Sequence, residues 1–168
     1  MISDPERRGR ALAEFYLELE NRLFTDLEES GVLPGAAGGG SAELLRREWE
    51  CFALYACVRG LVAAGGFNRE TATAIDALHQ AVLSAWMDRP ANGETFDARR
   101  ARISERYAEY GAIGQAGGAS GAATVTQRLG EAAARHLSPA PPPGLATLVG
   151  GMHEALAEGS AEAVRRAE

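Results

Sequence analysis

The chain has 168 residues, 46% of them hydrophobic and 24% charged, a globular balance that allows a core without disulfides or a structural metal. Its net charge of −6 and pI near 5.2, with no long basic or acidic block, argue against nonspecific attraction to nucleic acid or anionic lipid. All 17 basic residues are Arg, which excludes Schiff-base chemistry on a lysine and a Walker-type phosphate loop. The Arg-only usage, with abundant Ala and Gly, is expected of a GC-rich, bacterial genome.

Asp4-Pro5-Glu6 has the chemistry of a helix start, with an Asp cap, Pro at the first position and an acid beside the helix dipole. Leu12, Phe15, Tyr16, Leu19, Leu23 and Leu27 then recur at helical spacing until Ser30-Gly31, while Leu17 and Phe24 fall on the opposite side. A glycine-rich loop is expected near 31–40, followed by a helix capped by Ser41. That helix carries two apolar stripes, Leu45, Trp49, Phe52, Ala56 and Ala63 on one and Leu44, Tyr55, Val58 and Val62 on the other, so it should touch neighbours on two sides. Cys51 and Cys57, six apart on this helix, point to different sides and are read as reduced core thiols. The longest nearly apolar run, Phe52 to Ala64, is broken by Arg59 and too short to cross a bilayer, and Met1 to Glu6 hold no apolar signal core; a cytoplasmic protein without membrane contact is expected.

Gly65-Gly66 ends the second helix and Asn68 caps a third, which buries Ile75, Leu78, Val82 and Trp86 with His79 on the same stripe and stops before Pro90. Thr95 or Asp97 opens a fourth helix, striped by Phe96, Ile103, Tyr107 and Tyr110. It is expected to dissolve in the glycines of 111–121, where a flexible segment leads to a Ser120 cap. Val125, Leu129, Ala132 and His136 define a fifth helix, ended by the prolines of 138–144. A sixth uses Leu145, Leu148, Val149, Met152 and Leu156, punctuated by Gly159-Ser160 ahead of a weakly helical tail. The whole reads as one domain over 1–168, an all-α antiparallel bundle of about five or six helices.

Four residues are candidates for a site. Arg59 places a guanidinium in the most apolar segment, where it either pairs with a carboxylate or holds an anionic ligand, with Tyr55 one turn before it as a hydrogen-bonding wall. His79 and Trp86, from the third helix, would complete a pocket for a small anionic or aromatic molecule. His79 is read otherwise as a core histidine, and His136 as a partner of helix-end carbonyls. Arg99, Arg102 and Arg106, set among Glu105 and Glu109, are read as a solvated, salt-bridged face. No His has a Glu three or four residues before it, so no metal site is expected, and no cofactor or catalytic motif is recognised. The leading expectation is a self-associating interaction module, a homodimer, using Leu17, Phe24 and small residues such as Gly60, Gly150 and Gly151. The alternative is the ligand pocket around Arg59, and a helical enzyme comes third.

Overall fold

In a computed structural model of the chain, residues 4–33, 42–88, 94–117 and 121–167 are described, and they form six helices and no strand. These are α1 (Pro5–Glu29), α2 (Ala42–Gly65), α3 (Arg69–Met87), α4 (Phe96–Gly117), α5 (Ala122–Leu137) and α6 (Leu145–Ala167). The all-α bundle read from the sequence is the fold. No helix among the described residues is long and apolar enough to cross a membrane. The expectations for residues 34–41, 89–93 and 118–120, including the Ser41 and Ser120 caps, fall outside the described residues.

Local chemistry sets the ends. The Asp4 carboxylate accepts the Glu6 N–H at 3.0 Å, and Asn68 accepts the Thr71 N–H at 2.9 Å, each relieving an orphan donor at a helix start. At the start of α4 the Thr95 hydroxyl accepts the Ala98 N–H at 3.2 Å.

Core packing follows the stripes. Helix α2 runs through the middle, with Trp49, Phe52, Ala53, Leu54 and Ala56 fully buried. Consecutive helices are antiparallel, as Tyr16 and Glu20 of α1 show by reaching the Glu50 carbonyl and Arg46 of α2. The broadest contacts join helices running the same way, α1 with α3 and α2 with α6. Between α2 and α6, Phe52 stacks on His153 at 4.2 Å and the Ser160 hydroxyl lies 3.4 Å from the Cys57 sulfur. Gly60 permits this approach, because a methyl group there would lie 2.5 Å from the Ser160 side chain and 2.7 Å from the Ala157 carbonyl. Gly130 serves α5 and α6 in the same way, against the Ala146 carbonyl and Gly150.

Two expected boundaries are corrected. Helix α4 does not dissolve at Gly111 but continues to Gly117, because the buried Tyr110 and the packing of Gly117 on Val125 hold both ends of the glycine stretch. That packing outweighs about 1 kcal/mol of lost propensity per glycine. Helix α6 likewise runs through Gly159-Ser160, since Ser160, Ala161 and Val164 are buried and carry the helix onward.

Candidate functional site

Helix α4 differs from its neighbours. Of its 22 residues only Ile103, Tyr110 and Gly117 are buried, and a groove flanks it on each side.

The larger groove, about 710 Å³, lies between α2, α4 and α5. Its walls are Tyr55, Val58 and Val62 from α2 and Val125 from α5, and along α4 it is lined by Gly111, Gly114 and Gly117. Among the described residues, a methyl group at Gly114 would meet nothing within 4 Å, and one at Gly111 only the Tyr55 hydroxyl at 3.9 Å. These two glycines therefore do not serve a close helix contact, unlike Gly60 and Gly130. They keep the groove open. Phe67, 96% exposed, stands at the rim, on the turn that follows Gly66.

The polar groups of this groove are few. Arg59 is the only charged side chain among the described residues that line it. Its Nη1 donates to Glu154 Oε2 at 2.9 Å, and the Thr126 hydroxyl lies 2.9 Å from the same oxygen, so the guanidinium is oriented from α6 and α5 together. The Tyr55 hydroxyl makes no hydrogen bond to any other described residue; burial raises its pKa and the Arg59 charge opposes the rise. Helix α5 begins at the groove, after Gly121 at φ 89°, with no side-chain cap among the described residues, and the positive end of its dipole lies there.

The smaller groove, about 390 Å³, separates α3 from α4. His79 and Tyr107 line it and share a hydrogen bond of 2.9 Å between Nε2 and the hydroxyl. Burial lowers the His79 pKa, with the Asp76 charge and the Ile75 carbonyl acting against it, so the imidazole is neutral at pH 7. The rings of Tyr55 and Tyr107, 5.0 Å apart, stand between the two grooves.

The four residues expected to form one pocket are thus distributed. Tyr55 and Arg59 line the larger groove and His79 the smaller, while Trp86 lines neither. It is buried against Tyr16 at 6.3 Å, with the Arg99 guanidinium 5.5 Å above its ring.

What fastens α4 is mainly charge. Glu48 of α2, 3% exposed, takes Arg102 at 2.8 Å and Arg106 at 2.7 Å and 3.0 Å. Glu94 takes Arg102 at 2.7 Å and lies 3.3 Å from both Arg99 and Arg47. Burial alone would raise the Glu48 carboxyl, but the hydrogen bonds and charges of Arg106 and Arg102 outweigh it and hold it below the ordinary carboxylate value. The arginines read as a solvated face are therefore turned inward, because the acids that claim them are buried ones from outside the helix. His136 is also reassigned: its Nε2 lies 2.6 Å from Glu109 of α4 rather than on helix-end carbonyls.

The features first read as an interface are largely used within the chain. Phe24 is 4% exposed beneath Arg46, and Gly60 and Gly150 sit in helix contacts of the same molecule.

Comparison of the chain with protein-family models, with curated proteins and with solved structures finds no match. The site residues that the sequence reading missed are Gly111 and Gly114, Val125 and Glu154. The spacing of Gly111, Gly114 and Gly117 at three-residue intervals was the available signal, since it puts one small-residue stripe on a helix face.

Proposed function

We propose that the chain binds a small amphipathic molecule, with an aromatic or aliphatic body in the groove between α2, α4 and α5 and an anionic head beside Arg59 and the start of α5. The observation that carries this reading is the pair of helical glycines Gly111 and Gly114, where an added methyl would meet no close neighbour among the described residues: they weaken α4 by about 1 kcal/mol each and line a cavity rather than a tight contact. The groove has the size and the apolar walls of a small-ligand site, with few polar groups converging at one end. Phe67 at the rim offers a ring to cover the bound body. Self-association is the weaker reading, because Phe24, Gly60 and Gly150, three of the five residues that suggested it, pack inside the molecule.

Two fluorescent probes with the same aromatic body test the proposal: phenylnaphthylamine, which is neutral, and anilinonaphthalene sulfonate, which carries an anionic head. Both should bind, the sulfonate more tightly, and Arg59→Gln should remove that preference. Gly114→Leu should fill the groove and weaken both probes by more than about tenfold while stabilising α4 by about 1 kcal/mol. Unchanged probe binding in a folded Gly114→Leu protein would contradict the reading.

A further inference from the structure

The groove between α3 and α4 plays no part in that reading, and its polar groups are arranged differently. The two helices are antiparallel there, since His79 meets Tyr107 near one end of the groove and Trp86 meets Arg99 near the other. Leu83 and Ile103 line the stretch between those two contacts. Asp76 lies outside the first contact and Arg100 beside the second, so the two stand at opposite ends of the groove, about 15 Å apart along the helix axes. Neither has an ion pair or hydrogen bond with another described residue, whereas Arg99, Arg102 and Arg106 of the same helix α4 are paired with acids. With His79 neutral, Asp76 and Arg100 are the only formal charges among the described residues of the lining.

We infer that this groove is a second site, for a short free peptide held by its two termini, with the ammonium group at Asp76 and the carboxylate at Arg100. An extended chain advances about 3.4 Å per residue, so about four residues cover the distance between the two charges. A single amino acid reaches only one of them. The end at Asp76 is built to accept hydrogen bonds: the Ile75 carbonyl takes the ring proton of neutral His79, Nε2 therefore accepts from the Tyr107 hydroxyl, and the Tyr107 oxygen is left as an acceptor beside the Asp76 carboxylate. The other end offers the planar donor fork of Arg100, which matches a carboxylate. Gln80 and Ser104 line the groove between the ends, where the peptide carries its own N–H and C=O groups. Phe96, 39% exposed, and Leu83 give the C-terminal side chain an apolar surface close to Arg100. A volume of about 390 Å³ drawn out over that length suits one extended chain of small residues.

Titration calorimetry with triglycyl-L-phenylalanine tests the inference. Glycyl-L-phenylalanine, which carries both charges but cannot span them, should bind at least about tenfold more weakly. Acetylating the amino end of the longer peptide, or amidating its carboxyl end, should each weaken it by about tenfold in the wild-type chain. In Asp76→Asn the acetyl group should cost nothing further, and in Arg100→Gln the amide should cost nothing further. Both residues are exposed, so both variants should keep the wild-type circular dichroism spectrum and melting curve. Gly114→Leu, which fills the other groove, should leave binding of the longer peptide unchanged. Absence of binding, equal affinity for the two lengths, an acetylation penalty that persists in Asp76→Asn, or loss of binding on Gly114→Leu would each overturn the assignment.

Discussion

Lowering the pH from about 7 to about 5 should cost the wild-type chain about 2 kcal/mol more stability than it costs a His153→Phe variant. His153 is 1% exposed, stacked on Phe52, and its Nδ1–H donates to the Phe52 carbonyl at 3.0 Å. That bond assigns Nε2 as the unprotonated nitrogen, and among the described residues it has no partner. Burial, together with the Arg59 charge, lowers the pKa from 6.5 to about 3. Above the unfolded value both states are neutral and the group contributes nothing to pH dependence. Between the two values the unfolded chain takes up a proton that the native chain refuses, so stability falls as pH falls, by up to about 1.4 kcal/mol per unit. Phe at this position keeps the stacked ring and removes the titration. Contributions from Glu48, Glu50 and His79 are common to both proteins and cancel in the difference. Equilibrium denaturation across this pH range checks the prediction, and parallel stability curves for the two proteins would contradict it.

Replacing Glu48 by Gln should cost about 3 kcal/mol, because removing one member of a buried ion cluster leaves Arg102 and Arg106 without their shared anion. Arg102 keeps Glu94, and among the described residues Arg106 keeps only the exposed Glu105 at 3.5 Å. The loss should fall first on α4, which has little buried apolar surface of its own. The two thiols report where it falls. Burial pushes both Cys51 and Cys57 up to about 12, so neither reacts in the native protein at neutral pH. Cys51 lies near enough to Arg102 and Arg106 for their charges to act on it, whereas Cys57 lies against Ser160 of α6. In Glu48→Gln, alkylation of Cys51 should accelerate before Cys57 becomes reactive. Equal rates at both thiols, or a stability change below about 0.5 kcal/mol, would show that α4 is not fastened as described.

The parts of this fold that could be read in the sequence are those decided locally. Asp4-Pro5 and Asn68 start helices through their own side chains, and the stripes of α1, α2 and α3 place Tyr16, Trp49, Leu78 and Trp86 in the core. What failed was set by packing between distant segments. Gly111 and Gly159-Ser160 read as breaks because propensity is local, while Gly117 on Val125 and Ser160 beside Cys57 keep those helices intact. Periodicity also gives a face but not a depth. His79 was the expected core histidine, yet His153 is the fully buried one and His79 lines a groove. Arg59 was legible as a guanidinium in need of a carboxylate, but its partner, Glu154, lies 95 positions away on another helix, and no spacing rule connects them.

The most direct test of ligand binding in the larger groove is an amide-resolved NMR titration of the full chain with phenylnaphthylamine. Shifts concentrated at Val58, Gly111, Gly114 and Val125, with the α3 amides around Asp76 and His79 undisturbed, are the predicted result. An absence of shifts at saturating probe, or shifts centred away from those four residues, would contradict it.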